Sequence, residues 1–301
     1  MSAETRQRAS STVRITLLVD NARGAPGLRA QWGFSAWIES GERRILFDCG
    51  CNDAFARNAR ALGVALGDCD AFVLSHGHFD HGGGIERLVG EAPAARLFLH
   101  RAALAPRLWL CKTGRVDDIG LPERSLHALG DVAGRVSWVT GPTELLPGTW
   151  VSGPIPRRHP LEEAERNFFA DQACTMRDPV VDDQALWLIT PQGLVVLVGC
   201  AHAGIINTLE HVRRLATELG DVHDAPPAAD GLPRVAALIG GLHLLHASPA
   251  RLRATGEALA AAEIGALAAV HCTGKRGKDH LSAVLPHAWR ACTTGSVVEV
   301  G

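Results

Sequence analysis

The stretch Ala71–Gly84 reads AFVLSHGHFDHGGG, an apolar run that ends in three histidines and one aspartate. In an extended segment, side chains two positions apart point the same way. His76 and His78 can therefore grip one cation, while Asp80 and His81, past the turn, can face a second. Imidazole and carboxylate donors suit zinc, with manganese and iron as alternatives. Gly82, Gly83 and Gly84 remove side-chain bulk beside the cluster and let the backbone turn sharply. The competing reading is a polar surface loop that binds nothing.

A metal cluster needs a frame that delivers its ligands, and the rest of the chain has the pattern of one. VRITLLVD reads as a strand, and FSAWIES with RRILFDCG as two strands joined by a turn at SGER. Residues 52–62 have helical spacing, AFVLS is a short buried strand, and IERLVG opens a helix after the glycines. GLVVLVGCAH leads into a helix whose Ile205, Ile206, Leu209, Val212 and Leu215 share one face. RVAALIGGLHLLH leads into another, with Ser248 as its cap and Pro249 in its first turn. ALAAVHCTG follows as a strand. Five strands thus end in polar groups: Asp48, the SHGHFDH cluster, GCAH, GGLHLLH and HCTG. In α/β sheets such groups gather beyond one edge of the strands, so five distant segments are expected to meet there.

Composition narrows the function. The 301 residues are 47% hydrophobic and 21% charged, which suits a single globular domain over 12–301 behind a flexible polar tail at 1–11. A net charge of −2 sets aside no basic face for nucleic acid. No apolar run reaches the roughly 18 residues of a membrane span, and the start lacks the apolar region of a signal peptide. Eight scattered cysteines then read as reduced thiols in a cytoplasmic protein. The pair Cys49 and Cys51 is a weak metal motif. Residues 221–233 read as a surface loop, and there is no repeat of fixed period. No G-x-S-x-G elbow or P-loop is present. The seven Trp and eight Phe beside no Tyr have no physical account.

An HxHxDH cluster after a buried strand resembles the signature of metallo-β-lactamase-fold hydrolases. LVDN, WGFSAWIE, ILFDCG, SHGHFDHGGG, GPIPR, DDQALWLIT, GLVVLVGCAHAGIIN, GGLHL and VHCTG together are similar to the dihydropteroate-synthase-like branch of that superfamily. The resemblance runs from about residue 18 to residue 274. It implies an α/β (α+β) fold, a four-layer αββα sandwich with two divalent ions, zinc first. It implies that His76 and His78 hold the first ion, Asp80 and His81 the second, and His271 the last histidine position. His202 is expected to complete the first site. Cys200, where many relatives have a bridging aspartate, is a further ligand or a buried thiol.

Several residues next to these carry secondary expectations. Asp48 can orient a metal-bound imidazole from behind. Asp80 and His243 are the expected catalytic groups, His243 as a substrate-facing or proton-transfer histidine, with a core histidine as the competing reading. Arg157 can hold an anionic substrate through its guanidinium fork, and Thr273 with Gly274 can offer backbone donors to an oxyanion. His246 reads as structural, and His159 is not expected to be a ligand. The expected partner is a small anionic metabolite, not nucleic acid or membrane; a homo-oligomer is compatible with the sequence.

Three functions follow from the resemblance and the chemistry together. The first is a binuclear hydrolase of a small phosphoester-like metabolite. The second is a transferase in which an aromatic amine displaces diphosphate from a pterin-like substrate, and the third is a non-catalytic metal-binding protein. An intact His78 argues against a redox di-iron site, whose relatives carry glutamate there.

Overall fold

The computed structural model describes residues 12–219 and 225–301. The expected tail at 1–11 and the first part of the expected loop at 221–233 lie outside the described residues. In chain order the strands are β1 (Val13–Val19), β2 (Ser35–Ser40), β3 (Arg43–Phe47), β4 (Ala71–Val73), β5 (Arg96–Leu99), β6 (Leu108–Leu110), β7 (Val116–Asp118) and β8 (Val136–Trp138). They continue with β9 (Thr143–Leu146), β10 (Thr149–Val151), β11 (Phe168–Phe169), β12 (Ala185–Thr190), β13 (Gly193–Val198), β14 (Val235–Gly241), β15 (Ala266–Val270) and β16 (Val297–Val300). The α-helices are α1 (Ala54–Ala61), α2 (Phe79–Gly82), α3 (Ile85–Glu91), α4 (Glu123–Asp131), α5 (Ile205–Glu218), α6 (Pro249–Ala261) and α7 (Gly274–Val284).

Two large sheets carry the fold. One runs β16-β1-β2-β3-β4-β5-β8 and the other β15-β14-β13-β12-β10-β9; a small sheet, β11-β6-β7, stands apart. Period-two alternation in the central strands explains how both sheet faces are filled. Val195 and Leu197 of β13 pack with Ile15, Ile38 and Ile45 of the opposite sheet. Their neighbours Leu194, Val196 and Val198 pack with Ile205, Leu209 and Val212 of α5 and Leu259 of α6. On the far side of the first sheet, Leu46 and Phe72 pack with Phe55 of α1, Leu88 of α3 and Leu129 of α4. The layers are therefore helix, sheet, sheet, helix, as the resemblance implied.

Local devices match the sequence pattern. Ser248 Oγ accepts from Arg251 N at the start of α6, with Pro249 at its first position. On α5, Ile205, Leu209, Val212 and Leu215 are buried while Ile206 stands half-buried at the edge of the stripe. Residues 226–233 return to α5 and are tied to it: Arg213 holds the Asp230 carboxylate with two bonds of 2.7 and 2.6 Å and donates to Pro233 O. No helix among the described residues is long and apolar enough to cross a membrane.

The topology also settles which strand ends meet. β13, β14 and β15 run parallel, as do β3, β4 and β5. Their carboxyl ends therefore open on common edges of the two sheets, and β1, antiparallel to β2, which is antiparallel to β3, ends on the same side. Leu197 is fully buried between the sheets. Leu197→Ala should cost about 2–5 kcal/mol, read as a lower denaturation midpoint with an unchanged slope.

Candidate metal centre

Four of the strand ends turn through the left-handed region at residues other than glycine: Asp48 (φ 56°), Ala201 (φ 50°), His243 (φ 49°) and His271 (φ 46°) follow β3, β13, β14 and β15. Such conformations are costly and persist only where the surroundings enforce them; they gather at functional sites. Here they aim donor groups from separate strands into one buried volume.

Two groups of donors form there. His76 Nε2 lies 3.0 Å from His78 Nδ1 and 3.2 Å from His202 Nε2. Beside it, Asp80 Oδ2 lies 3.3 Å from His271 Nε2 and 3.8 Å from His81 Nε2, and His81 Nε2 lies 3.1 Å from Cys200 Sγ. Cys200 belongs to both groups: its sulfur lies within 4.8 Å of donor atoms of His76 and His202 on one side and of His81 and His271 on the other. Nitrogen ligands of one tetrahedral zinc stand about 3.3 Å apart, given bonds of about 2.0–2.1 Å. The His76–His78 and His76–His202 nitrogen pairs have that spacing. His271 Nε2 is buried with no hydrogen-bond partner, and the Asp80 carboxylate is its nearest charge. The donor set fits divalent cations.

Neighbouring groups set which nitrogen of each ring is free. Asp48, an acceptor, takes hydrogen bonds from Ser75 N, Ser75 Oγ and His81 Nδ1, all at 2.7 Å. The Ser75 hydroxyl, having donated to Asp48, accepts from His76 Nδ1 at 2.9 Å. Asn21 Nδ2 donates to His271 O, so its Oδ1 faces His271 Nδ1 at 2.9 Å and accepts from it. Each arrangement holds Nδ1 from behind and turns Nε2 inward, free in His76 and His271 and, in His81, freed when a cation takes the place of its second proton, the relation typical of metal-ligating histidines. Asp20 adds a further tie, accepting from His271 N at 2.7 Å.

Electrostatics differ between the two groups. Burial, with neighbouring histidines and Arg107, holds His76, His78 and His202 well below the usual imidazole range, so their lone pairs are available. Burial works against protonating His81 as well, but the Asp80 and Asp48 carboxylates outweigh it and raise the ring to about 9. Asp80 is held well below the usual carboxylate range: burial opposes this, and the His81 and His271 rings overcome it. Burial pushes the Cys200 thiol up.

The backbone of both ligand loops is clasped from one segment. Asp182 Oδ2 accepts from Gly77 N at 2.7 Å, between the two histidines of the first group, while its other oxygen pairs with buried Arg107. A side chain at Gly77 would strike the Ala103 backbone, so only glycine lets the loop pass. Asp183 Oδ2 accepts from Ala203 N at 2.6 Å, next to His202; burial raises its pKa to about 7. Gln184 donates to Leu74 O at 2.8 Å and Ser75 O at 3.1 Å. Glu162 accepts from Ile206 N and Asn207 N at the start of α5.

The structure therefore brings together His76, His78, Asp80, His81, Cys200, His202 and His271, with Asp48 directly behind His81. Arg157 differs from the expectation. Its guanidinium donates to the carbonyls of His202 and Pro179, so it fastens the His202 loop instead of offering a free fork to an anion. Thr273 spends its hydroxyl on Leu242 N, and Gly274 packs against Leu245 in the turn after His271. His243 lies beside His202, ring centroids 4.5 Å apart, and bonds Glu165 at 2.9 Å. Cys49 and Cys51 form no metal pair: their thiols donate to the carbonyls of His81 and Trp32.

Sequence reasoning missed Asn21, Ser75, Asp182, Asp183 and Glu165 as supporting groups. Asp20 and Asn21 end β1 as the other polar groups end their strands, and that shared pattern was the available signal. It also missed two aromatic borders, Phe168 against His78 and His202 and half-exposed Trp32 against His271.

A family model described as the metallo-beta-lactamase superfamily matches residues 33–145. An uncharacterised protein of Methanocaldococcus jannaschii is 29% identical, the match covering 89% of this chain and 93% of that one. The 7,8-dihydropterin-6-methyl-4-(beta-D-ribofuranosyl)-aminobenzene-5'-phosphate synthase of the same organism is 26% identical, covering 88% of each. The crystal structure of Tm1679, described as a metal-dependent hydrolase of the beta-lactamase superfamily, aligns with a TM-score of 0.75 at 27% identity over 96% of this chain and 99% of its own.

Asp48→Asn keeps an acceptor for Ser75 but places an amide where the His81 Nδ1–H needs an oxygen. Metal affinity should fall about 10–100-fold with the fold retained, measured by competition against a chromophoric chelator.

Proposed function

This chain is a metallo-β-lactamase-fold protein, and from that premise we propose that it is a metal-dependent hydrolase with a binuclear centre acting on a small anionic, phosphoester-like metabolite. The observation that carries the reading is the convergence of the His76, His78 and His202 nitrogens at 3.0 and 3.2 Å beside the Asp80, His81, His271 and Cys200 donors. In this reading His76, His78 and His202 hold one ion, Asp80, His81 and His271 hold the other, and Cys200 stands between them. Zinc is the first choice from the nitrogen and sulfur donors, manganese and iron the alternatives. When bound, the ions supply Lewis acidity and lower the pKa of the attacking water towards neutrality.

The chain's own groups do the remainder. Asp48, Ser75 and Asn21 hold three rings in the tautomer that presents Nε2. Asp80, ionised, orients the attacking water and receives its hydrogen bond. Phe168 and Trp32 border the centre with apolar surface that keeps bulk water from competing for the substrate. The turn at Thr273 and Gly274 offers backbone donors to developing negative charge. Residues 12–301 act as one unit in this reading, in the cytoplasm, where the eight thiols stay reduced.

A transferase is the second reading, and the name of the 26% identical synthase supports it. There an amine replaces water as the attacking group while the ligand set stays the same. Pyrophosphate release that requires an aromatic amine would separate it from hydrolysis.

The test is metal analysis of the purified protein with a phosphoester and lactone panel, run beside His78→Ala. Wild type should carry at least two ions per chain and turn over at least one substrate. The variant should lose bound metal and at least about 100-fold in turnover. Full activity in His78→Ala would end the mechanism.

A further inference from the structure

A third donor group lies against the first two and shares only Cys200 with them. Cys200 Sγ, Cys272 Sγ and a ring nitrogen of His243 all lie within 4.8 Å of one another. Two thiols and an imidazole on one tetrahedral zinc stand about 3.5–3.8 Å apart, given bonds of about 2.3 Å to sulfur and 2.0 Å to nitrogen. The three atoms need only a side-chain adjustment to reach that spacing.

His243 is built as a ligand. Glu165 Oε1 holds its Nε2 at 2.9 Å, which leaves Nδ1 buried and without a hydrogen-bond partner. Asp48 treats His81 in the same way and Asn21 treats His271 so, each fixing one nitrogen from behind and freeing the other inward. A histidine that shuttled protons to substrate would turn its free nitrogen to the open side; that of His243 is enclosed.

The sulfur position is built as well. Cys272 Sγ accepts from His243 N at 3.3 Å, so the two donors are joined through the backbone of β14's strand end. Room for the sulfur comes from Gly241, where a β-carbon would lie 2.6 Å from Cys272 Sγ. The left-handed turn at His243 (φ 49°) swings the ring toward this place.

We propose that Cys200, Cys272 and His243 form a third, thiolate-rich cation position that adjoins the histidine centre and shares Cys200 with it. Its donors select a soft ion of filled d shell, zinc or monovalent copper, over the harder manganese. The proposal does not rest on the catalytic reading, since a protein that turned nothing over could still hold the ion.

Cadmium is the probe. The full-length protein, stripped of metal under reducing conditions, is titrated with Cd2+ while ultraviolet thiolate-to-metal charge transfer and bound metal are recorded. Wild type should bind three ions per chain. Cys272→Ser should bind two and lose roughly half of the charge-transfer absorbance, because one of two thiolates is gone. His243→Asn should weaken the same ion without changing the thiolate count. In His78→Ala, which tests the histidine centre, the Cys272-dependent absorbance should survive. Should Cys272→Ser fail to fold, cadmium NMR of wild type decides: a resonance in the range of two-sulfur sites supports the proposal, and its absence overturns it. Equal stoichiometry and absorbance in wild type and Cys272→Ser would likewise overturn it.

Discussion

Seven donor side chains crowd into one buried volume, where like groups face one another at short range. Ring nitrogens that face one another at about 3 Å gain little without a positive charge between them, and burial makes their protonation costly. The rest of the architecture answers that constraint. Carboxylate, amide and hydroxyl groups behind the rings decide which nitrogen is free, and the two-sheet core fixes the strands from which the rings project.

The clasp from residues 182–184 is where core and centre join. Asp182, Asp183 and Gln184 precede a strand that lies wholly inside the second sheet, yet their side chains reach the backbone of the loops after β4 and β13. Charge is handled in the same economical way: buried Arg107 neutralises Asp182, and Asp178 lies 3.5 Å from the same guanidinium. Breaking such a pair leaves one ion stranded, which is far more damaging than removing both. The donor loops are thus held by polar bonds that lie inside the apolar layers.

Much of this was legible in the chain itself. Strands with both faces covered read as continuous apolar runs, so β13, β14 and β15 were plain, and the HxHxDH cluster named four donors by spacing alone. The convergence of strand ends followed from the order of the elements. What spacing could not carry was long-range pairing. Nothing near Asn21 points to a histidine 250 residues later, and nothing near Asp182 points to the amide of Gly77. Arg157 shows the opposite limit. A guanidinium beside a cluster suggests an anion, but carbonyls exposed by the tight turn at His202 were closer claimants.

The bond from His271 to Asp20 joins residues 251 positions apart. During synthesis the amino-terminal half, with His76, His78, Asp80 and His81, leaves the ribosome long before the strand that carries His271. The second donor group is therefore incomplete until β15 and the His271 that follows it have been made. Closure of the second donor group is thus a late event in the life of the nascent chain, whereas His76, His78 and His202 are all present well before it.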